Sequence, residues 1–189
     1  MTLRVFVINP NSSQAVTDHI RRELEQVKRP DTELTVVNPR HGPASIESQY
    51  DRELATPHVL DLVRRANDDG YDVAVIACFS DPGLDASREI SNIPVIGIEE
   101  STLHVAAMLG HKFSPVTAFP RHMPTRDLHV RMGGFEHAYA STLVTRMSVL
   151  DMEADPATTK RRILAEARRA VAEDGAEVIV LGCAGLSGY

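Results

Sequence analysis

The sequence predicts an α/β fold of two pseudosymmetric lobes, each a mostly parallel sheet flanked by helices. Three observations carry that expectation. Short apolar runs alternate along the chain with stretches that are apolar at helical spacing, the order of parallel α/β proteins. Residues 73–77, Val-Ala-Val-Ile-Ala, form an unbroken apolar run of the kind buried on both faces of a parallel sheet. The segment Asp69-Gly-Tyr-Asp-Val-Ala-Val-Ile-Ala-Cys78 returns as Asp174-Gly-Ala-Glu-Val-Ile-Val-Leu-Gly-Cys183, at an offset of 105 residues.

Each element has its own signal. Residues 3–8 are a short apolar strand closed by Asn9-Pro-Asn-Ser-Ser13. Ser12 or Ser13 suits the N-cap of a helix that runs through Val16, Ile20 and Leu24. Residues 33–38 read as a second strand, ended by Pro39 and the loop His41-Gly-Pro-Ala-Ser45. A helix is expected over about residues 57–67, opening on Pro57, before the strand at 73–77. Residues 94–98 are a strand leading to a helix over 100–109 that stops at Gly110. The pattern restarts with a strand over 113–119 and a turn at Pro120-Arg-His122. A strand over 145–150, a long Ala- and Arg-rich helix over 156–173 and a buried strand over 177–181 complete the reading.

Composition excludes several function classes. The chain has 189 residues, 20 Lys plus Arg against 26 Asp plus Glu, and a net charge of −6. That acidic balance offers no basic surplus for nucleic-acid phosphates. The longest apolar run is the seven residues 73–79, too short to span a membrane. With no charged leader or small-residue cleavage site at the N-terminus, a cytoplasmic location is expected, and Cys78 and Cys183 are expected to be free thiols there rather than a disulfide.

The repeat gives those thiols a shared position. Asp-Gly turns before apolar strands are common in α/β proteins, which is the chance alternative. Two similar lobes would otherwise each present one cysteine at the carboxyl end of a central strand, where ligands of parallel sheets bind. Two facing lobes would then aim both thiols at one cleft, the expected active site. A thiol has a reference pKa of about 8.5, so thiolate and thiol are both within reach near neutrality. A thiolate on one face of a stereogenic carbon and a thiol on the other make a two-base device for racemisation or epimerisation beside a carbonyl. The turns Phe79-Ser-Asp81 and Ala184-Gly185 would supply backbone N–H groups for the enolate-like intermediate. Free cysteine more often simply packs; the matched placement favours function.

Other chemistries lack their residues. Lys28, Lys112 and Lys160 are the only lysines, and none sits in a phosphate cradle suited to a pyridoxal Schiff base. Zinc is not expected: His104 and His111, like His122 and His129, are seven apart and read as surface residues. No Gly-x-Gly-x-x-Gly follows the first strand. Asp81 suits either a hydrogen bond to a thiol or a helix cap.

Taken together, Asn9-Pro-Asn-Ser-Ser13, Gly42-Pro-Ala-Ser-Ile-Glu-Ser48, Cys78-Phe-Ser-Asp-Pro-Gly-Leu84, Pro94-Val-Ile-Gly-Ile98 and Leu181-Gly-Cys-Ala-Gly185 resemble the aspartate/glutamate racemase superfamily, specifically its hydantoin and allantoin racemase branch, from Val5 to the end. The resemblance implies a cofactor-independent racemase of homo-oligomeric habit, with Cys78 and Cys183 in the acid and base roles. It also implies substrate contacts from Asn11, Ser45, Phe79, Ser80, Ala184 and Gly185; Thr117, ending a strand of the second lobe, is a further candidate. Turn formation by Asn9 and Asn11, and a solvent-facing Ser45, account for those residues equally well.

In amino-acid racemases of the superfamily the thiols are followed by polar residues that hold a carboxylate. Phe79-Ser80 and Ala184-Gly185 are less polar, so the expected partner is a small neutral cyclic ureide. A carboxylate-acting member and a non-catalytic ureide-binding protein are the rival readings. The resemblance further implies a first lobe over 1–98 carrying Cys78 and a second over 99–189 carrying Cys183. The chain ends at Tyr189, six residues after Cys183, whereas the family continues through at least one more βα unit, on the order of 30 residues. The first lobe is accordingly expected to be completed by a C-terminal segment absent from this chain.

Overall fold

The computed structural model describes residues 2–186, so residues 187–189 of the expected second lobe lie outside the described residues. Two compact units emerge. One combines the chain up to Ile46 with Tyr50–Ile98; the other combines Glu47–Gln49 with the chain from Glu99 onward.

The first unit runs β1 (Leu3–Ile8), α1 (Gln14–Val27), β2 (Thr32–Val37), α2 (Gln49–Asp68), β3 (Val73–Ile76), α3 (Leu84–Ile90) and β4 (Val95–Gly97). Its strands are all parallel in the order β2-β1-β3-β4. Strand alternation sends Phe6, Ile8, Ala74, Ile76 and Val95 into one core with Val59, Val63 and Ala66 of α2. Val5 and Val7 turn to the opposite side, where α1 packs beside β2 through Val16 and Ile20. Ser13 caps α1, its side chain accepting from the Val16 N–H.

The second unit runs α4 (Ile98–Leu109), β5 (Phe113–Thr117), α5 (Met123–Met132), β6 (Leu143–Val144), α6 (Val149–Ala154), α7 (Pro156–Arg169) and β7 (Val178–Leu181). Its parallel order, β6-β5-β7, matches β2-β1-β3 of the first. Val116, Ala118, Leu143, Met152, Ile163 and Ala170 form its core. No helix among the described residues is long and apolar enough to cross a membrane.

The repeat seen in the sequence is a repeat of backbone. Gly70 and Gly175 both adopt left-handed φ, at 69° and 71°, turning the chain into β3 and β7. Val73 pairs with Val5 as Val178 pairs with Phe113, and Ile76 with Ile8 as Leu181 with Val116.

Three expectations need correction. The helix expected over 57–67 begins at Gln49, with Pro57 inside it. Its buried face, Ala55, Val59, Val63 and Ala66, starts before the proline. The strand expected over 145–150 is displaced: β6 ends at Val144, Arg146 takes a left-handed φ of 57°, and Ser148 caps α6 by accepting from the Asp151 N–H. Residues 73–77 are not buried on both faces: Ala74 and Ile76 are buried, but Val73 and Val75 are half-buried, and neighbouring Ile96 is 40% exposed. On that side α1 packs beside β2, at the far edge of the sheet from β4.

One buried ionic cluster ties the second unit together. Glu99, in the first turn of α4, pairs with Arg126 of α5 and lies 2.8 Å from Nδ1 of His129 on the same helix. The Glu99 and Arg126 side chains are 2% and 6% exposed, so each charge depends on the other for solvation. Glu99→Gln is expected to cost about 3 kcal/mol in urea denaturation, and a Glu99→Leu/Arg126→Met double variant less than either single change.

Candidate active site

Each unit releases its chain at a cysteine in the same way. The Ala77 N–H donates to the Ile8 carbonyl at 2.8 Å, the last ladder bond before Cys78. The Gly182 N–H donates to the Val116 carbonyl at 3.0 Å, the last before Cys183. Both thiols therefore stand one residue past the last ladder bond and two past the ends of β3 and β7, half-buried and unoxidised. The next residue along each partner strand is polar and buried: Asn9 in the first unit, Thr117 in the second.

In the first unit, Ser80 and Asp81 donate their N–H groups back to the Cys78 carbonyl at 2.8 and 3.0 Å. Those two amides close the turn on itself. The Ser80 hydroxyl instead lies 3.3 Å from Cys78 Sγ, within bonding distance of the sulfur. Phe79 is buried between them in sequence. Asp81 takes a left-handed φ of 42°, and Gly83 rather than Asp81 stands at the N-cap of α3. The buried Asp81 carboxylate fills the space where a Cβ on Gly97 would sit, 2.3 Å from its nearest atoms, so any larger residue at the end of β4 would have to displace it. Arg52 Nε donates to the Ser80 carbonyl at 3.0 Å, and Thr56 packs 3.0 Å from the Cβ position of Gly83.

Asn9 and Asn11 build the neighbouring turn. Asn9 Nδ2 donates to Asn11 Oδ1 and to Thr17 Oγ1, each at 2.9 Å, and Asn11 Oδ1 also accepts from the Ser13 N–H at 2.9 Å. The Asn11 oxygen is committed to the turn, while its amide Nδ2 makes no hydrogen bond among the described residues and remains a donor. Ser45 is half-buried in a loop fastened to this turn, since Ser12 donates to the carbonyl of Pro43 from its N–H at 2.9 Å and to that of Gly42 from its hydroxyl at 3.1 Å.

In the second unit a 3-10 turn, Ala184–Leu186, starts directly after Cys183 and contains both Ala184 and Gly185; the Leu186 N–H returns to the Cys183 carbonyl at 3.0 Å. Thr117, on the strand beside it, bonds His122 Nδ1 at 2.8 Å. His122 and His129 are thus not surface residues: both rings are held by buried or half-buried partners, whereas His104 and His111 are exposed. Among the described residues no three His, Cys, Asp or Glu side chains gather where they could hold a metal ion.

A family model, Asp/Glu/Hydantoin racemase, matches residues 5–189. The chain belongs to this family. It is 41% identical to a hydantoin racemase of Pseudomonas sp. strain NS671 over 187 residues, 99% of this chain and 75% of that protein. Its fold superposes on an allantoin racemase from Klebsiella pneumoniae with a TM-score of 0.94 and 38% identity, covering 98% of this chain and 76% of the other. An allantoin racemase from Pseudomonas fluorescens gives a TM-score of 0.93 at 33% identity, over 98% and 79% of the two chains.

Sequence reading passed over three supports of this site. Arg52 lies in the half of α2 hidden by taking Pro57 as a helix start. Gly97 carried a legible signal, since a glycine inside an apolar strand marks a close approach. His122 had no local signal, because its partners come from a strand five residues earlier and from Glu47. Loss of the Ser80 hydroxyl removes a donor to a thiolate at Cys78. Ser80→Ala is expected to slow iodoacetamide alkylation of Cys78 at pH 7 by about threefold to tenfold, the equivalent of one hydrogen bond, as followed by peptide mass spectrometry.

Proposed function

We propose that the protein is a cofactor-independent racemase of 5-substituted hydantoins or of the related ureide allantoin. In this reading Cys78 and Cys183 act as a thiolate/thiol pair. One removes the proton from the stereogenic carbon, which the adjacent carbonyl acidifies, and the other returns a proton to the opposite face. For the other enantiomer the roles exchange. The observation that carries the reading is the matched placement of the two thiols, each one residue past the last ladder bond of equivalent strands in two units of equivalent strand order.

The substrate class follows from what surrounds the thiols. Phe79 and Ala184, which directly follow the thiols, give no side-chain donor to a carboxylate, and the Asn11 amide offers one donor to a ureide carbonyl. The names of the relatives, hydantoin racemase and allantoin racemase, support the same class.

Solvent deuterium incorporation, followed by NMR alongside polarimetry on both enantiomers of allantoin and of a 5-alkylhydantoin, tests this. Wild-type protein is expected to exchange the carbon-bound proton as it racemises. Cys78→Ala and Cys183→Ala are each expected to lower racemisation by about 10²- to 10⁴-fold. Intact racemisation in either variant would sink the two-base mechanism, and turnover of aspartate or glutamate alone would sink the ureide assignment.

A further inference from the structure

The ring of His122 is held at both nitrogens. Nε2 lies 2.5 Å from the backbone carbonyl of Glu47, and Nδ1 lies 2.8 Å from the hydroxyl of Thr117. A carbonyl only accepts, so Nε2 carries a proton and donates it. In the neutral ring Nδ1 is then a lone-pair acceptor, and it takes the Thr117 proton. Arg121 Nε donates to the same carbonyl at 2.6 Å, and its guanidinium lies 3.4 Å from the Glu47 carboxylate. The polypeptide at Glu47 is thereby fastened to the turn Pro120–His122, and the orientation of the imidazole is fixed with it.

Thr117 is 3% exposed, and its backbone carbonyl is occupied by the Thr145 N–H at 2.9 Å. Its hydroxyl has no side-chain partner other than His122 among the described residues. With its single proton spent there, Thr117 Oγ retains lone pairs and nothing to donate.

We propose that Thr117 Oγ is a one-way hydrogen-bond acceptor for a ring N–H of the cyclic ureide, its polarity set by the His122 tautomer that the Glu47 carbonyl imposes. The proposal rests on the ureide reading above and deepens it. A ureide ring alternates N–H with C=O, so it has a proton to offer such an acceptor. An α-amino acid presents a carboxylate, which cannot pair with such an acceptor, and an ammonium, which can. Thr117 therefore favours the ureide through the bond it makes to the ring N–H. His122 touches no substrate in this arrangement; it is a positioning residue that acts through Thr117.

The test combines the ring's tautomer with selectivity. At pH 8, above the ordinary histidine range, imidazole ¹⁵N NMR of the wild-type protein is expected to show the Nε2–H form of His122; the Nδ1–H form overturns the proposal whether or not any variant folds. Racemisation of a 5-alkylhydantoin is then compared with that of its N1-methyl and N3-methyl derivatives. In the wild type, methylation of the nitrogen that faces Thr117 is expected to raise KM about tenfold, the scale of one lost hydrogen bond with an unpaired buried group. Thr117→Val and His122→Phe are each expected to raise KM for the parent by a similar factor, to abolish the discrimination against the methylated ring, and to be no worse in combination. Retained discrimination in both variants, or additive effects in the pair, overturns the proposal. Wild-type protein that turns over no ureide fails the functional reading itself and takes the ureide assignment with it. An active wild type with an unchanged His122→Phe variant overturns only the role of His122.

Discussion

The position of each thiol depends on a single backbone constraint, the end of a parallel ladder. Ala77 and Gly182 make the last hydrogen bonds to the central strands, and the chain is free to turn only at the next residue. Strand pairing fixes φ and ψ up to that point, and a one-residue slip would send every apolar side chain of β3 or β7 to the wrong face. The cores that hold Ala74, Ile76 and Val180 in place therefore also hold Cys78 and Cys183 at the sheet ends. Hydrophobic burial sets the register, and the register sets the chemistry.

Beyond the ladder the two units diverge. The Cys78 turn is anchored from three directions: its own amides close on the Cys78 carbonyl, Arg52 holds the Ser80 carbonyl, and Asp81 occupies the gap that Gly97 leaves. The Cys183 turn is a short 3-10 segment, and on the neighbouring strand Thr117, His122 and the Glu47 carbonyl form a chain of hydrogen bonds. The buried Glu99–Arg126 pair and His129 join α4 to α5, the helix that follows the His122 turn.

How much of this was legible in the sequence divides along the same line. The repeat at Asp69 and Asp174 exposed the two Asp-Gly turns, the apolar strands after them and both cysteines, because those features arise from local turn chemistry and period. The strand expected over 145–150 failed because a two-residue strand carries too little pattern, and the capping pair Ser148 and Asp151 governs the residues that follow. The proline in α2 outweighed the apolar spacing that starts at Ala55, a case where tertiary packing overrides a local breaker. Hydrogen bonds between distant segments, such as Arg52 to Ser80 or His122 to Glu47, leave no trace in composition or spacing, so the supports of the site were the least visible part of it.

The repeat makes the two thiols equivalent in backbone and leaves them unequal in surroundings. Cys78 lies beside the Ser80 hydroxyl, whereas Ala184 and Gly185 after Cys183 carry none. Under the proposed racemisation that inequality has a bounded consequence. Enantiomers of a compound with one stereogenic carbon have equal free energies in water, so the equilibrium constant between them is one. The ratio of kcat/KM for the two directions must equal that constant, whatever the protein does to either thiol. A donor such as the Ser80 hydroxyl beside Cys78 can therefore raise kcat for one enantiomer only by raising its KM in the same proportion relative to the other. The asymmetry redistributes binding and turnover between the two directions and cannot make the enzyme favour one product, which is why a repeated fold can tolerate unlike neighbours around two functionally matched thiols.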